Sequence, residues 1–548
     1  MKDYDQTLRI VGKFGRYQKS LLILIFIPVL IGTCHSFIQV FAAGKSDHWC
    51  QSWQHENCNE LNITNMECNK LKREISVPAK VTDQNQTVFE QCVKYDTSAI
   101  DLKTALDLDG NINTSQQISC DEGWVYDRSN FPSTIIIDFE LVCEKSFLPN
   151  MAQSAYFVGF LCGSAVVGLA SDILGRRTTL LICLLMTLAV GIATTFTPTI
   201  WFYIVCRFLI GVPIMGIALV CFVYANELVS PSRRTFVGNA LWIFYAAGYA
   251  ILAGLAKLIP NWRLLHLVIS LPYIPTIILV CIFVPESPRW LLVKGKIDNA
   301  QKVLRKVARI NRKKLPENFL LDFEDTEKEQ KPKEAKGTLS DFVRSPLLLF
   351  MTIIMCFNWA VQSLVYYGLS LSTSTLGIDP YISFLVSGAI EIPAYLLCMY
   401  LAEWLGRKGA TFSTMVIGGL CCCATPFIPL GISRATVAMV GKFCITISFS
   451  VVYTWSAELV PTPLRTSGMG LFSLSSRIGG ISTPIVLLLD EIWKELPTIV
   501  LGSFSIIASL LCLLLPETKG RPLPSTAGDI KHFYRKSNDL KTLEQQVD

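Results

Sequence analysis

The chain has 548 residues, of which 51% are hydrophobic and only 17% are charged, and its formal net charge is +6. This apolar excess and the mean hydropathy of +0.42 exclude an ordinary soluble globular protein of this length. The composition therefore indicates a protein that crosses a membrane several times.

Twelve apolar runs of about 20 residues follow one another along the chain, each long enough to cross about 30 Å of hydrocarbon. A polar segment separates the first six runs from the last six. The predicted spans lie at 20–42, 151–171, 178–196, 201–223, 236–256, 263–284, 346–370, 381–402, 410–430, 436–455, 467–489 and 496–516.

Short basic segments fall on one side of this predicted topology: "GRR" at 175–177, "SRR" at 232–234 and "GRK" at 406–408. Lys and Arg near span ends are retained in the cytoplasm, so we expect both termini there. The first run is too long for a removable signal peptide and lacks a small-residue cleavage site. The predicted organisation is a cytoplasmic N-terminus (1–19), an N-terminal half (20–284), a cytoplasmic linker with amphipathic helices (285–345), a C-terminal half (346–516) and a cytoplasmic tail (517–548).

The loop at 43–150 is predicted to be extracellular, and its chemistry agrees with that side. Glycosylation acceptor sequences occur at Asn62, Asn85 and Asn113. Six cysteines suit a disulfide framework in an oxidising compartment, with 15 pairings possible. They are Cys50, Cys58, Cys68, Cys92, Cys120 and Cys143.

The linker contains "IDNAQKVLRKVARI" at 297–310, in which apolar residues recur at helical spacing opposite a basic face. This pattern predicts an amphipathic helix. It either lies beneath the bundle or contacts anionic lipid or a regulator.

Three motifs recur at one offset. Gly175 and Gly406, Glu227 and Glu458, and Glu286 and Glu517 are each 231 positions apart. A shared offset indicates a duplicated six-span unit. Two like halves around a midplane cavity are typical of a secondary transporter, in which one half rocks against the other.

The repeated motifs also supply charges for gating. We expect Asp172, Arg176 and Arg177 to pair with charges or helix ends of neighbouring spans, with Gly175 forming the tight turn. We also expect Glu227 to pair with Arg233 or Arg234, and Glu458 to pair with Arg465. Such ion pairs would stabilise one conformational state of the protein. The alternative is that these charges only set orientation. The gating candidates are Asp172, Gly175, Arg176, Arg177, Glu227, Arg233, Arg234, Glu403, Gly406, Arg407, Glu458 and Arg465.

These residues carry a family resemblance. "GLASDILGRR" resembles the signature loop of the major facilitator superfamily, and "PESPRWLLVKGK", "YTWSAELVPTPLRTSGMG" and "LLLPETKGRPLP" resemble the organic ion transporters of solute carrier family 22. The resemblance implies an all-α membrane fold of twelve helices in two six-helix repeats, at the plasma membrane. Other segments resemble particular subgroups: "YYGLSL" the urate and nicotinate transporters, and "EIPAY" the carnitine transporters.

Arg477 lies in the eleventh predicted span, where an unpaired charge is costly. The resemblance implies that cation carriers have an aspartate here, whereas anion and carnitine carriers have an arginine. Arg477 is therefore predicted to bind a substrate carboxylate in the cavity. The alternative is a structural pair with an acid such as Glu391.

Helical spacing predicts one aromatic face in span seven and another in span ten. Glu391 is expected first to neutralise Arg477, although it could hold an ammonium or a proton, and Lys442 either adds positive field or is paired structurally. Tyr395 stands where several anion carriers have a second basic residue, which favours monocarboxylates over dicarboxylates. The cavity candidates are Phe222, Tyr245, Trp359, Gln362, Ser363, Tyr366, Tyr367, Glu391, Tyr395, Lys442, Phe449, Tyr453, Ser473 and Arg477.

The function predicted is secondary active transport of small organic anions of monocarboxylate, nicotinate or urate type, by exchange. The alternative is a carnitine, zwitterion or organic cation transporter. A channel would need charge rings, and an enzyme a clustered catalytic set that five scattered histidines do not provide; His35 either touches the cavity or packs. A receptor would rest only on the glycosylated loop. We expect no cofactor, no metal, no nucleic-acid partner and a functional monomer in the lipid bilayer.

Overall fold

A computed structural model describes residues 4–12, 14–54, 65–81, 87–98, 100–107, 116–313, 342, 345–521 and 524. The three predicted glycosylation sites, Asn62, Asn85 and Asn113, and Cys58 lie outside these residues. The chain divides into two compact units. We call Phe41–Pro149 with Ile259–Trp262 the loop unit and the remainder the helical unit.

Helices dominate the described chain. Up to residue 313 they are α1 (Tyr4–Gly12), α2 (Arg16–Phe37), α3 (Gln39–Ala42), α4 (Asn65–Ser76), α5 (Leu102–Asp107), α6 (Ile135–Asp138), α7 (Leu148–Leu174), α8 (Arg176–Thr195), α9 (Ile200–Leu228), α10 (Pro231–Leu258), α11 (Trp262–Ser270), α12 (Tyr273–Phe283), α13 (Pro288–Val293) and α14 (Ile297–Ile310). From residue 345 they are α15 (Pro346–Leu371), α16 (Pro380–Ala389), α17 (Glu391–Trp404), α18 (Gly406–Ala424), α19 (Ile432–Leu459), α20 (Arg465–Leu487) and α21 (Leu496–Cys512).

Eleven helical runs in the described residues are long and apolar enough to cross a membrane. Three of these runs join two α-helices each: α2 with α3, α11 with α12, and α16 with α17. The twelfth predicted span corresponds to α21, an apolar helix of 17 residues, which at 1.5 Å per residue is about 25 Å long. Each predicted span thus has its helix, and the last one is short.

Small residues bring the helices close together within each half. A Cβ atom on Gly159 of α7 would collide with the carbonyl oxygen of Phe208 in α9. In the second half, a Cβ atom on Gly479 of α20 would collide with the carbonyl oxygen of Ala360 in α15. Close backbone approach is how membrane helices gain packing energy without a hydrophobic driving force between them.

The two halves meet through α10 and α16. The ring of Tyr249 stacks on that of Phe384, with centroids 4.8 Å apart, and Gly388 leaves room for it, since a Cβ atom there would collide with Tyr249. Near the end of α10, Lys257 pairs with Asp379 at 3.3 Å. We call the end of the helical unit that carries the repeated glycine motifs the motif end.

The loop unit is held by short antiparallel strand pairs and disulfides. The pairs are β1 (His48–Cys50) with β6 (Trp124–Tyr126), β2 (Ala79–Val81) with β3 (Thr87–Phe89), and β4 (Val93–Tyr95) with β5 (Gln117–Ser119). Of the possible cysteine pairings, Cys50 bonds to Cys120 and Cys92 to Cys143, and Cys68 is also disulfide-bonded. These cross-links restrict the unfolded chain and thereby stabilise the folded unit.

At the motif end, α1, α13 and α14 form a small apolar cluster. Helix α14 occupies the segment that the sequence predicts to be amphipathic and buries Ala300 and Leu304 against Tyr4 and Trp290. The hydroxyl of Tyr4 donates a hydrogen bond to the carbonyl of Glu227, at 2.7 Å. The chain's first helix is thereby fixed to both the linker helix and α9.

Candidate functional site

The repeated motifs of the first half form one charge network at the motif end. Arg176 donates two hydrogen bonds to Glu227, from Nε at 3.2 Å and from a terminal nitrogen at 3.0 Å, and a third to Asp172 at 2.9 Å. Glu286 accepts from the backbone N–H groups of Arg176 and Arg177, at 2.8 and 3.1 Å. A carboxylate at the start of α8 meets both free N–H groups and the positive end of the helix dipole.

Gly175 is required at this turn for two reasons. Its φ of +100° is in the region that favours glycine. A Cβ atom there would also collide with the carboxylate of Glu286. The turn and the capping carboxylate therefore depend on each other.

The second half repeats the network. Arg407 donates to Glu458 from Nε at 3.1 Å and from a terminal nitrogen at 3.0 Å. Glu517 accepts from the backbone N–H groups of Arg407 and Lys408, both at 3.0 Å. Gly406, at φ +80°, occupies the place of Gly175.

Two expected ion pairs are wrong. Glu227 pairs with Arg176 rather than with Arg233 or Arg234, and Glu458 pairs with Arg407 rather than with Arg465. Arg233, Arg234 and Arg465 are closer to these acids along the sequence. In the fold, the arginine at the start of α8 or α18 lies within reach of the acid and forms the pair.

The remaining gating candidates lie outside these pairs. Arg234 donates to the carbonyl of Asn226 at 3.3 Å, and Arg465 to the hydroxyl of Thr462 at 3.4 Å. Glu403 is exposed, and Arg407 instead reaches the carbonyl of Ala402 at 3.3 Å. Glu403, the glutamate in "LAEW", therefore does not pair with Arg407 in the way that Asp172 pairs with Arg176.

Sequence reasoning assigned no role to the carboxylates of Glu286 and Glu517. Their offset of 231 positions was the available signal. It placed them in the repeat, but only the folded chain shows that they cap α8 and α18. The hydroxyls of Ser287 and Thr518, which follow them, donate to Glu227 and Glu458.

A second charged cluster is buried in the C-terminal half. The ammonium of Lys442 lies 3.1 Å from Glu391, and these side chains are 1% and 0% exposed. Lys442 also donates to the hydroxyl of Ser387 at 2.6 Å. The hydroxyls of Tyr366 and Tyr395 donate to the same carboxylate, at 2.8 and 3.4 Å.

This pairing overturns the expected partner of Glu391. The carboxylate neutralises Lys442 and not Arg477, because α17 and α19 bring Glu391 and Lys442 together. Tyr249 of the first half lies beside the pair, with its ring centroid 4.6 Å from the ammonium. A buried pair needs additional hydrogen bonds to offset its desolvation, and Ser387 and the tyrosines supply them.

Arg477 lies on α20 and is half-buried. Its guanidinium carbon is 5.8 Å from the ring centroid of Phe160. In the described part of the chain, no Asp or Glu oxygen lies within 4.0 Å of this guanidinium. Its Nε has no hydrogen-bond partner there either.

The aromatic candidates of spans seven and ten come together. Trp359 packs on Tyr453 with centroids 4.3 Å apart and donates to Ser456 at 2.8 Å. Phe449 lies 5.9 Å from Tyr366, and Tyr367 lies 4.6 Å from Phe157 of the first half.

Three further candidates are Gln362, Phe222 and Ser473. Gln362 donates to Asn358 at 2.7 Å and to Met415 of α18, so it does not share the aromatic face. Phe222 is 44% exposed and Ser473 is half-buried.

Tyr245 and Tyr395 lie beside Trp242. The ring centroid of Tyr245 is 5.8 Å from that of Trp242, and that of Tyr395 is 6.0 Å away. Because Trp242 and Tyr245 belong to α10 and Tyr395 to α17, aromatic residues of both halves meet here.

The fold and the motifs agree with known transporters. Residues 86–527 match the family described as "Sugar (and other) transporter". Solute carrier family 22 member 13 of Homo sapiens is 35% identical, over 97% of this chain and 94% of its own. The chain belongs to solute carrier family 22. It is therefore a membrane transporter of small organic ions within the major facilitator superfamily, and not an enzyme.

Other members of solute carrier family 22 and related folds are similar to it. The "Organic cation transporter protein" of Drosophila melanogaster is 34% identical, over 99% of this chain and 97% of its own. Solute carrier family 22 member 6 of Oryctolagus cuniculus is 32% identical, over the same shares. The inward-open xylose transporter XylE from E. coli aligns with a TM-score of 0.60 at 14% identity, over 92% of this chain and 98% of its own. That last similarity concerns the fold alone.

Proposed function

We propose that this transporter carries organic monoanions, of monocarboxylate, nicotinate or urate type, across the plasma membrane by exchange. The proposal rests on one observation: Arg477 is a half-buried cation without a carboxylate partner among the described residues, and the ring of Phe160 lies beside it. Such a guanidinium gains most from a bidentate pair with a carboxylate. The flanking rings suit a flat, partly apolar acid.

Glu391 is the acid that an organic cation would need. It already accepts hydrogen bonds from Tyr366 and Tyr395 and pairs with Lys442. A substrate ammonium would have to compete with a fixed, buried ammonium for that carboxylate. Lys442 therefore neutralises Glu391, whereas Arg477 has no carboxylate partner among the described residues. The uncompensated charge at the proposed site is positive, which supports an anionic substrate.

Tyr395 bears on the number of charges. It places a phenol, not a second cation, beside Glu391. A dianion would find no free cation here for its second carboxylate, because Lys442 is already paired with Glu391. We therefore propose monoanions over dicarboxylates.

The membrane potential favours exchange over uncoupled uptake of an anion. An anion entering a negative cell is opposed by about 2.3 kcal/mol per charge per 100 mV. Exchange against an internal anion of the same charge removes this opposition. We propose that the motif end faces the cytoplasm, since basic residues concentrate there, and that both termini share that side.

The repeated networks support rocking of rigid halves. Arg176, Glu227 and Glu286 belong to the first half, and Arg407, Glu458 and Glu517 to the second. Each network thus ties the helices of its own half together. We propose that contacts that do join the halves, such as Lys257 with Asp379, open and close during transport.

The test is uptake of labelled nicotinate, urate, carnitine and tetraethylammonium into cells that lack related carriers. Arg477→Asp is expected to reduce anion uptake at least tenfold. Arg477→Lys keeps the charge but loses the bidentate geometry and should retain part of the uptake. Surface biotinylation controls for the amount of protein at the membrane.

Two results would contradict the proposal. One is tetraethylammonium as the best substrate of the unmutated protein. The other is equal anion uptake by Arg477→Asp and the unmutated protein. Acceleration of uptake by preloading unlabelled nicotinate inside the cell tests exchange separately.

A further inference from the structure

The end of the linker helix α14 is fastened to the start of the first span. The side chain of Asn311 accepts a hydrogen bond from the backbone N–H of Tyr17, at 3.0 Å. The same side chain donates to the side-chain oxygen of Gln18 at 2.8 Å and to the carbonyl of Val11 at 3.1 Å. A Cβ atom on Gly15 would collide with it. Two segments far apart in the sequence therefore meet at the first turn of α2.

Exposed cations flank this meeting point on both segments. Arg16 and Lys19 belong to the first turn of α2, and Arg312 and Lys313 directly follow Asn311. Because Asn311 contacts the residues between Arg16 and Lys19, these cations share one surface. We call it the basic junction. Among the described residues, no Asp or Glu oxygen lies within 4.0 Å of any of its cations.

The basic junction lies at the end of a membrane span. The apolar run from Arg16 to Ala42 has 27 residues, which at 1.5 Å per residue is about 40 Å of helix. The hydrocarbon core is only about 30 Å thick. Because cations are costly in hydrocarbon, the excess length belongs at the charged end. The first turn of α2 therefore lies at the level of the lipid headgroups.

The apolar face of α14 is not available to the bilayer. Its Ala300 and Leu304 pack against Tyr4 and Trp290. Contact between this end of the linker and the membrane must therefore be electrostatic. Clusters of Lys and Arg beside the cytoplasmic end of a span attract anionic lipids, and an arginine can bind a phosphate through two parallel N–H groups.

We propose that the basic junction binds the headgroup of an anionic phospholipid. The lipid phosphate compensates cations that have no acid partner among the described residues. Because the cations come from both α2 and α14, the bound lipid also holds the linker helix to the first span. The orientation proposed above places the junction at the cytoplasmic leaflet, where anionic lipids concentrate. The binding test depends neither on that orientation nor on the substrate proposed for Arg477.

The test is lipid binding by the purified full chain in detergent, measured by native mass spectrometry. Phosphatidylserine and phosphatidylcholine are titrated separately. Each Lys or Arg beside an anionic headgroup changes the affinity about fivefold, so we expect phosphatidylserine to bind at least tenfold more tightly. Equal affinities for the two lipids would overturn the proposal.

Two double variants remove the cations of one segment at a time. Arg16→Gln with Lys19→Gln acts on α2, and Arg312→Gln with Lys313→Gln acts on the linker. Each should lower the affinity for phosphatidylserine at least tenfold. If both variants bound phosphatidylserine as the unmutated protein does, the lipid would not lie at the junction. Thermal unfolding in phosphatidylcholine alone checks that the variants are folded.

Lys294→Gln with Lys296→Gln is the matched control, since it removes the same charge from exposed positions at the other end of α14. That helix has 14 residues, so about 21 Å of helix separates these lysines from Asn311. This distance exceeds the Debye length of about 8 Å. The control should keep its affinity for phosphatidylserine. A loss as large as in the junction variants would mean that net charge alone sets binding, and the proposal would be wrong.

Asn311→Ala keeps every cation but removes the contact that brings the two segments together. It should lose part of the affinity for phosphatidylserine, and more of it than the lysine control. An unchanged affinity would contradict a site assembled by this contact.

The linker also contains an acidic stretch, "DFEDTEKE" at 322–329, which lies outside the described residues. If this stretch occupied the junction, phosphatidylserine would bind tightly only after its acids were neutralised. We expect Asp322→Asn with Glu324→Gln and Asp325→Asn to leave the affinity unchanged. A gain of about tenfold or more would show that the stretch is the occupant and would overturn the lipid site.

Discussion

The two halves of the helical unit share their motif-end networks and differ in how they treat a buried cation. In the C-terminal half, Lys442 lies 3.1 Å from Glu391. In the N-terminal half, the partners of Arg207 among the described residues are a carbonyl, an amide and a ring face. At the repeat offset, Arg207 corresponds to Ala438 and Lys442 to Gly211. The duplicated unit has thus kept its turn and cap geometry and has diverged in its interior charges.

The difference follows from where each feature acts. The turn at Gly175 or Gly406 fixes the backbone of a helix pair, so any change there disturbs a whole half. A buried charge in the interior only needs local compensation, which an acid, a set of dipoles or a bound ion can provide. The interior charged residues can therefore differ between the two halves, whereas the turn and cap residues are the same in both.

The largest effect is expected on removing the acid that distinguishes the C-terminal half. Glu391→Gln leaves Lys442 buried and unpaired, which costs about 3–5 kcal/mol of stability. Thermal unfolding and the yield of monodisperse protein measure it. The double variant Glu391→Leu with Lys442→Met should recover most of the loss, because it removes both charges. If Glu391→Gln were as stable as the unmutated protein, the pair would not be the compensating element.

The shared networks should respond alike, with a smaller effect in the second half. Arg176→Gln is expected to cost about 2 kcal/mol, and Arg407→Gln about 1 kcal/mol. The reason is exposure: the paired side chains of Arg176 and Glu227 are 11% and 10% exposed, against 20% each for Arg407 and Glu458. Thermal unfolding of both variants, with Glu403→Gln as a control at an exposed acid, tests the order. A reversed order would mean that exposure does not set the strength of these networks.

The smallest effect is expected at the contact between the halves. Lys257 and Asp379 are 59% and 38% exposed, so Lys257→Ala should cost less than about 0.5 kcal/mol. Asp379 also accepts from the N–H of Tyr381 at 2.8 Å at the start of α16, and Asp379→Ala should therefore cost about 1 kcal/mol more. Asp379→Asn keeps the cap and should match Lys257→Ala. Unfolding curves that do not separate the two Asp379 variants would contradict the capping role.

Much of the fold could be predicted from the sequence. Apolar runs of sufficient length located the spans, and three motifs at one offset identified the repeat. Periodicity also predicted the face on which Trp359, Tyr366 and Tyr367 lie. It failed for Gln362, because hydrogen bonding to Asn358 and Met415 turns that side chain toward α18. Spacing states which residues share a side of a helix, not which neighbour each one chooses.

The main errors of the sequence-based prediction concern which charged residues pair with one another. From the sequence, Arg477 was the expected ion-pair partner of Glu391, but in the fold Glu391 pairs with Lys442. Likewise, Arg465 was the expected partner of Glu458, but in the fold Glu458 pairs with Arg407. Arg207 was missed altogether, although a single arginine inside "FYIVCRFLIG" was a signal that a predicted span contains a charge.

The sequence by itself determined the membrane setting, the number of spans, the duplication and the positions of the turn glycines. These depend on local composition, chain length and backbone conformation, which the order of residues contains. The tertiary structure alone decided which ionic groups compensate one another, because helices far apart in the chain bring those groups within hydrogen-bond distance. Coulomb energy in a low-dielectric interior depends steeply on such distances, so the electrostatic character of each half emerges only after packing.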